Sequence, residues 1–129
     1  MVYGDIYNLP GDIGQFDIST FGSILLHLRS PIAALEQAAR HTKDKIIVTD
    51  TWPESPDTMM ENIMRPFPAG EDSRWVVWWE ISAGAVVQML KILGFNKIEV
   101  QTHTQPHRHG HRFDISYVEQ PMYTVIGSL

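Results

Sequence analysis

The run Ile46-Ile47-Val48 constrains this chain more than any other feature. Three consecutive β-branched residues suit a pleated strand, and a continuous apolar run without alternation is the pattern of a parallel strand covered on both faces. A central strand is therefore expected within "KDKIIVTDTW". Just before it, Pro31 suits the first turn of a helix with Ser30 as N-cap, and Ile32, Leu35, Ala38 and Ala39 recur at helical spacing, which predicts a helix over 31–42. Upstream, "FDISTF" (Phe16 to Phe21) has the β-branched and aromatic content of another strand. Strand, helix, strand in that order implies a right-handed parallel crossover.

The remaining segments extend this pattern. Val2 to Tyr7 is strand-like and ends near a Gly-Asp turn. Ser82 is placed to cap a helix over 83–93 whose Val86, Met89, Leu90 and Leu93 face a core, with Gly94 as its left-handed C-terminal residue. "NKIEVQTHT" alternates as a half-exposed strand does, and "MYTVIGSL" reads as a last strand. Between Pro53 and Arg74 a loop is expected to carry one short helix, capped by Asp57 and striped by Met60, Ile63 and Met64. The sum is one α/β domain over 1–129, a mixed sheet with helices on its faces and an antiparallel hairpin at one edge. Ligands of such sheets bind outside the carboxyl ends of the parallel strands, which points to the loops after Phe21 and after Asp50.

Charge and composition narrow the function classes. The ten Lys and Arg residues are scattered and the net charge is -5, so neither nucleic acid nor an anionic membrane is an indicated partner. There is no cysteine, hence no disulfide framework and no thiolate metal site. No apolar run reaches the roughly 18 residues of a membrane span, and a soluble, cytoplasmic protein is expected.

In order and spacing, these segments resemble the C-terminal portion of a class I S-adenosylmethionine-dependent methyltransferase, a Rossmann-like fold. "YGDIYNLP" resembles the exit of that family's third strand, "FDISTFGSILLHLRSP" its fourth strand and turn, and "KIIVTDTW" its fifth. "WWEISAGAVVQMLKILGF" and "YTVIGSL" resemble its last helix and antiparallel seventh strand. The resemblance implies a sheet order of 3-2-1-4-5-7-6 and methyl transfer from S-adenosylmethionine to an acceptor, a small molecule being possible. It also implies that the first two strand-helix units, with the glycine-rich turn that cradles the cofactor, have no counterpart here, since no G-x-G-x-G occurs in the 129 residues. The expectation is a truncated domain that does not bind the cofactor or turn over by itself. A homodimer paired through the exposed edge of the "FDISTF" strand follows, because an unpaired edge is a template for another chain. The alternatives are a non-catalytic interaction module that completes a partner chain, or a metal-binding protein built on histidines.

Within the resemblance, Asp5 and Ile6 match the positions that meet the adenine edge, and Gly22 matches a small residue beside the cofactor. Read locally, Gly4-Asp5 is an Asx turn and Gly22-Ser23 a tight turn. Ser23 and His27 are the candidate catalytic residues, an imidazole being the commonest general base near neutral pH; a packed core histidine is the competing reading of His27. Asp50 either faces the cleft or caps the next turn. Trp75, Trp78 and Trp79 either wall an acceptor pocket or pack in the core. His103, His107, His109 and His111 invite metal capture, but no dedicated metal site is expected because Pro106 and Gly110 interrupt the pattern.

Overall fold

The computed structural model describes residues 4–52, 56–66, 77–107 and 117–129. Among the described residues, six strands and two α-helices follow one another as β1 (Phe16–Gly22), α1 (Pro31–Arg40), β2 (Thr42–Thr51), β3 (Met64–Pro66), β4 (Trp79–Ile81), α2 (Ala83–Ile92), β5 (Lys97–His107) and β6 (Val118–Ser128). Short 3-10 turns cover Leu25–His27 and Pro56–Thr58. Four strands form one sheet in the order β1-β2-β6-β5, and β3 and β4 form a small separate ribbon. β1 pairs parallel with β2, whereas β6 lies antiparallel between β2 and β5. The expected crossover is therefore present, and the last strand inserts into the sheet rather than extending it.

The core explains why β2 sits where it does. Ile46, Val48 and Asp50 lie opposite Gly127, Val125 and Tyr123 of β6, and this face is sealed by Ala34, Leu35 and Ala38 of α1 and Val86 and Leu90 of α2. Gly127 is the floor on which α2 rests: a Cβ there would stand 3.0 Å from both Leu90 Cδ1 and Phe95 Cβ. Both helices contribute to the core on this face. The other face carries Ile47, Thr49, Thr124 and Ile126, which are only half-buried, with Thr49 and Thr124 sharing a 2.8 Å hydroxyl hydrogen bond. The apolar run in β2 is thus covered on one side and only partly on the other.

Several expected elements are corrected. Gly4 to Tyr7 form a turn rather than a strand: Tyr7 N–H donates to Asp5 Oδ1 at 3.0 Å and Asn8 N–H to the Asp5 carbonyl at 2.9 Å, a local bonding pattern that outcompetes a ladder. Met1 to Tyr3 lie outside the described residues. Helix α1 ends at Arg40 because Thr42, a β-branched residue, starts β2 and donates its hydroxyl to the Ala38 carbonyl at 2.7 Å. Ser30 makes no side-chain cap; its N–H donates instead to Tyr7 Oη at 3.2 Å. Ala34 takes the buried place expected of Ile32, which is 38% exposed. Ser82 does cap α2, accepting from Ala85 N–H at 3.1 Å, and Gly94 has the left-handed φ of 96°.

The expected helix with Met60, Ile63 and Met64 as its stripe is absent. Its sequence instead enters β3, because Ser82 Oγ also accepts from Ile63 N–H and donates to the Glu61 carbonyl, tying this backbone to the start of α2. Gly84 permits the approach, since a Cβ on it would collide with the carbonyl oxygens of Met60 and Glu61.

Candidate functional site

The carboxyl ends of β1 and β2 gather the polar groups that the hydrophobic pattern leaves unexplained. β1 leaves the sheet at Gly22, which is exposed, and Ser23 follows with φ 46°, its N–H donating to the Thr49 carbonyl of β2 at 2.8 Å. A left-handed serine at a strand exit is uncommon and turns the chain sharply into the Leu25–His27 turn. His27 N–H donates to the Ile24 carbonyl at 3.0 Å while the residue as a whole is exposed, so it is not a packed core histidine.

Beneath that turn lies Asp50, 2% exposed on the core face of β2. Its Oδ1 accepts from Thr51 N–H at 2.8 Å, and the Leu26 backbone amide also bonds to the carboxyl group. Oδ2 is buried and has no hydrogen-bond partner among the described residues. Burial pushes the Asp50 carboxyl up from 3.8 to about 6, against the opposing pull of the Thr51 amide, the nearby His27 and the Leu26 amide. Tyr123, facing Asp50 from β6, donates its hydroxyl to the Ile81 carbonyl at 3.0 Å; burial, then the Asp50 charge, raise its pKa above the ordinary phenol value. Asp50 therefore neither stands in an open cleft nor merely caps a turn. It is a sealed carboxyl beside an imidazole.

Two residues on, Trp52 keeps the chain paired to β6, its N–H donating to the Pro121 carbonyl at 3.0 Å, and its buried Nε1 has no partner among the described residues. Nothing in the local sequence distinguishes this indole from an ordinary packed one. Among the expected tryptophans, Trp79 donates Nε1 to the Leu28 carbonyl at 3.0 Å, which ties β4 to the turn above Asp50. Trp78 is 40% exposed, its N–H bonded to the Leu26 carbonyl and its ring under the Arg29 guanidinium at 5.3 Å. Trp75 lies outside the described residues.

A separate apolar pocket of about 330 Å³ opens along β1, between that strand, the end of α1 and the segment that precedes β1. Ile6, Leu9, Ile13 and Phe16 line it with Phe21 and Ala38. The preceding segment is pinned by Gln15 Nε2 donating to the Arg40 carbonyl and by His41 Nδ1 bonded to the Gly14 carbonyl. Of the expected cofactor residues, Ile6 reaches this pocket, Asp5 lies exposed in its turn with Oδ1 engaged, and Gly22 stands at the strand exit. Asp5 is not among the residues that line the pocket, and no glycine-rich G-x-G-x-G turn occurs in these 129 residues.

The histidines do not assemble a metal centre among the described residues, where no group of three or more His, Cys, Asp or Glu side chains converges. His103 and His107 lie on β5, whereas His109 and His111 fall outside the described residues. Among the described residues, no helix is long and apolar enough to cross a membrane.

No family model matches the sequence, and no curated protein does. Solved structures do match the fold. The chain is similar to the N-terminal domain of EvdMO1, solved with S-adenosylhomocysteine bound, at 21% identity and a TM-score of 0.61, covering 97% of this chain and 51% of that one. It is similar to an S-adenosylmethionine-dependent methyltransferase of Thermotoga maritima, described as a possible histamine N-methyltransferase, at 18% identity and a TM-score of 0.65, covering 97% and 61%. YcgJ of Bacillus subtilis matches at 14% identity and a TM-score of 0.64, covering 97% and 68%. The chain thus has a partial class I methyltransferase fold and spans about half to two-thirds of the length of these structures.

Proposed function

We propose that this chain is the acceptor-side part of an S-adenosylmethionine-dependent methyl-transfer domain, incomplete for turnover by itself, and that it pairs as a homodimer through β1. One observation carries the reading: the order β1-β2-β6-β5, with an antiparallel last strand between two mutually parallel ones, is the 4-5-7-6 half of the methyltransferase sheet. S-adenosylmethionine supplies an electrophilic methyl group when bound. Here Asp5 and Ile6 would meet its adenine edge, and Gly22 would let the backbone pass close by. Ser23 and His27, just beyond the exit of β1, would meet an approaching small-molecule acceptor.

The partner proposal rests on β1. It is an edge strand of the four-stranded sheet, and Phe16 and Ile18 on it are 48% and 49% exposed. Backbone groups and large apolar side chains are thus offered together, as a pairing strand requires. The same edge favours a second reading, a non-catalytic module that completes the sheet of a different chain. Light scattering at micromolar concentration separates them: a dimer is expected, and a monomer counts against pairing with itself. Calorimetry with S-adenosylmethionine tests the rest. No heat of micromolar binding is expected from this chain, and saturable micromolar binding would refute the incomplete cofactor pocket.

A further inference from the structure

The pocket of about 330 Å³ beside β1 is far larger than the small voids of an ordinary core, and its walls are fixed. The segment that carries Ile6, Leu9 and Ile13 forms one wall and is tied down at both ends. Tyr7 Oη accepts from Ser30 N–H at 3.2 Å, Gln15 Nε2 donates to the Arg40 carbonyl at 2.8 Å, and the Gly14 carbonyl accepts from His41 Nδ1 at 2.9 Å. The cavity therefore belongs to the packed chain and not to a loose loop.

What the walls can offer decides what they can hold. Among the described residues that line the pocket none is Asp, Glu, Lys or Arg, so a charged ligand would lose its hydration there without a counter-charge. Two of the polar residues in the wall have their hydrogens committed elsewhere. Thr42 donates its hydroxyl to the Ala38 carbonyl, so its oxygen accepts from Ser19 Oγ at 2.6 Å. A carbonyl can only accept, so the His41 Nδ1 hydrogen goes to Gly14. Water in a cavity needs about two to four polar partners, whereas an apolar cavity of about 150 Å³ stays dry and takes up benzene. Roughly twice that volume has room for two rings. Phe16, Phe21 and His41 are among the lining residues, which suits stacked or edge-on contact with an aromatic guest.

We propose that this pocket binds an uncharged, fused bicyclic aromatic molecule between Ile6, Leu9 and Ile13 on one side and Phe16 and Phe21 of β1 on the other. An adenine set by the Asp5 carboxylate would lie elsewhere, because Asp5 does not line the pocket and only Ile6 is shared. The inference stands without the methyl-transfer reading. Phe16 also belongs to the edge offered for pairing, so a second copy of the chain is the competing occupant.

Titration of the full chain, 13C-labelled at Ile and Leu methyl groups, with naphthalene and with 2-naphthalenesulfonate tests the proposal. Naphthalene is expected to shift the Ile6, Leu9 and Ile13 methyl signals saturably and to show cross-peaks to them, and the sulfonate to bind at least tenfold more weakly. Leu9→Trp, which fills the pocket from its own wall, should weaken naphthalene binding at least tenfold; if it does not fold by circular dichroism, Ile24→Trp at the 46% exposed rim takes its place. Ile92→Ala, on the exposed side of α2 and outside the pocket, should leave binding unchanged. Methyl signals that naphthalene does not move overturn the proposal whether or not either variant folds. Equal binding of the sulfonate, a loss in Ile92→Ala, or undiminished binding by a folded, filled variant also overturns it. So does an affinity that falls in proportion to protein concentration, which would mean that a second copy fills the pocket. Because no S-adenosylmethionine is present, this experiment and the cofactor calorimetry can fail independently.

Discussion

Replacing Asp50 by asparagine should change how stability depends on pH, and the sign follows from burial. The unfolded carboxyl titrates near 3.8, and the folded one is pushed up to about 6. Between those values the folded chain binds more protons than the unfolded chain, so this group's contribution is fully present below about pH 4 and is lost as pH rises through about 6. A displacement of that size corresponds to about 3 kcal/mol, at ~1.4 kcal/mol for each tenfold change. Asparagine keeps an acceptor for the Thr51 N–H and carries no charge. Relative to the parent, the variant should therefore gain stability steadily from pH 4 to pH 7, by up to about 3 kcal/mol. Urea unfolding of both proteins at half-unit pH steps measures this, and the difference between the two curves removes the titration of the exposed carboxylates they share. A difference that stays flat within about 0.5 kcal/mol over that range would refute the burial argument, because a carboxylate with an ordinary pKa gives no slope there.

Two other outcomes follow from particular backbone geometries. Gly84→Ala should destabilise the fold by at least about 1–3 kcal/mol in the same urea assay, because its Cβ meets the Met60 and Glu61 carbonyl oxygens rather than a side chain able to move. Ser23→Gly should stabilise by about 1 kcal/mol, since φ 46° places a Cβ in the left-handed region. If thermal unfolding shows a loss for this variant instead, the serine hydroxyl makes a contact that outweighs the backbone strain.

What the sequence revealed was whatever depends on spacing along one element. The β2 run, the α2 cap at Ser82 and the crossover from β1 through α1 are local patterns, and the structure repeats them. The errors arise where distant backbone decides. Met60 to Met64 carry a plausible helical stripe, but Ser82 and Gly84 hold that backbone open from nearly twenty residues away. Val2 to Tyr7 has strand composition, yet the Asp5 side chain bonds Tyr7 locally and prevents a ladder at Gly4 to Tyr7. The candidate site divides the same way. Asp50 was legible as the end of a strand, whereas its burial is created by Tyr123 of β6 and the turn at Leu26, neither near it in sequence. Trp52 gave no signal, because an unpartnered indole nitrogen is a property of its surroundings.

The place of β6 sets the order in which the sheet can be completed. Lying between β2 and β5, it is synthesised after both, and neither can gain its inner partner until residues 118–128 are available. During translation the chain therefore holds β1, α1 and β2 as one local unit, while β5 waits beside an empty lane. Unpaired backbone N–H and C=O groups stay open along the strand edges for that interval, which is when an emerging chain is most exposed to mispairing. Shortening the last strand should thus impair folding yield out of proportion to the few contacts removed, since those residues join two halves that otherwise have no shared ladder.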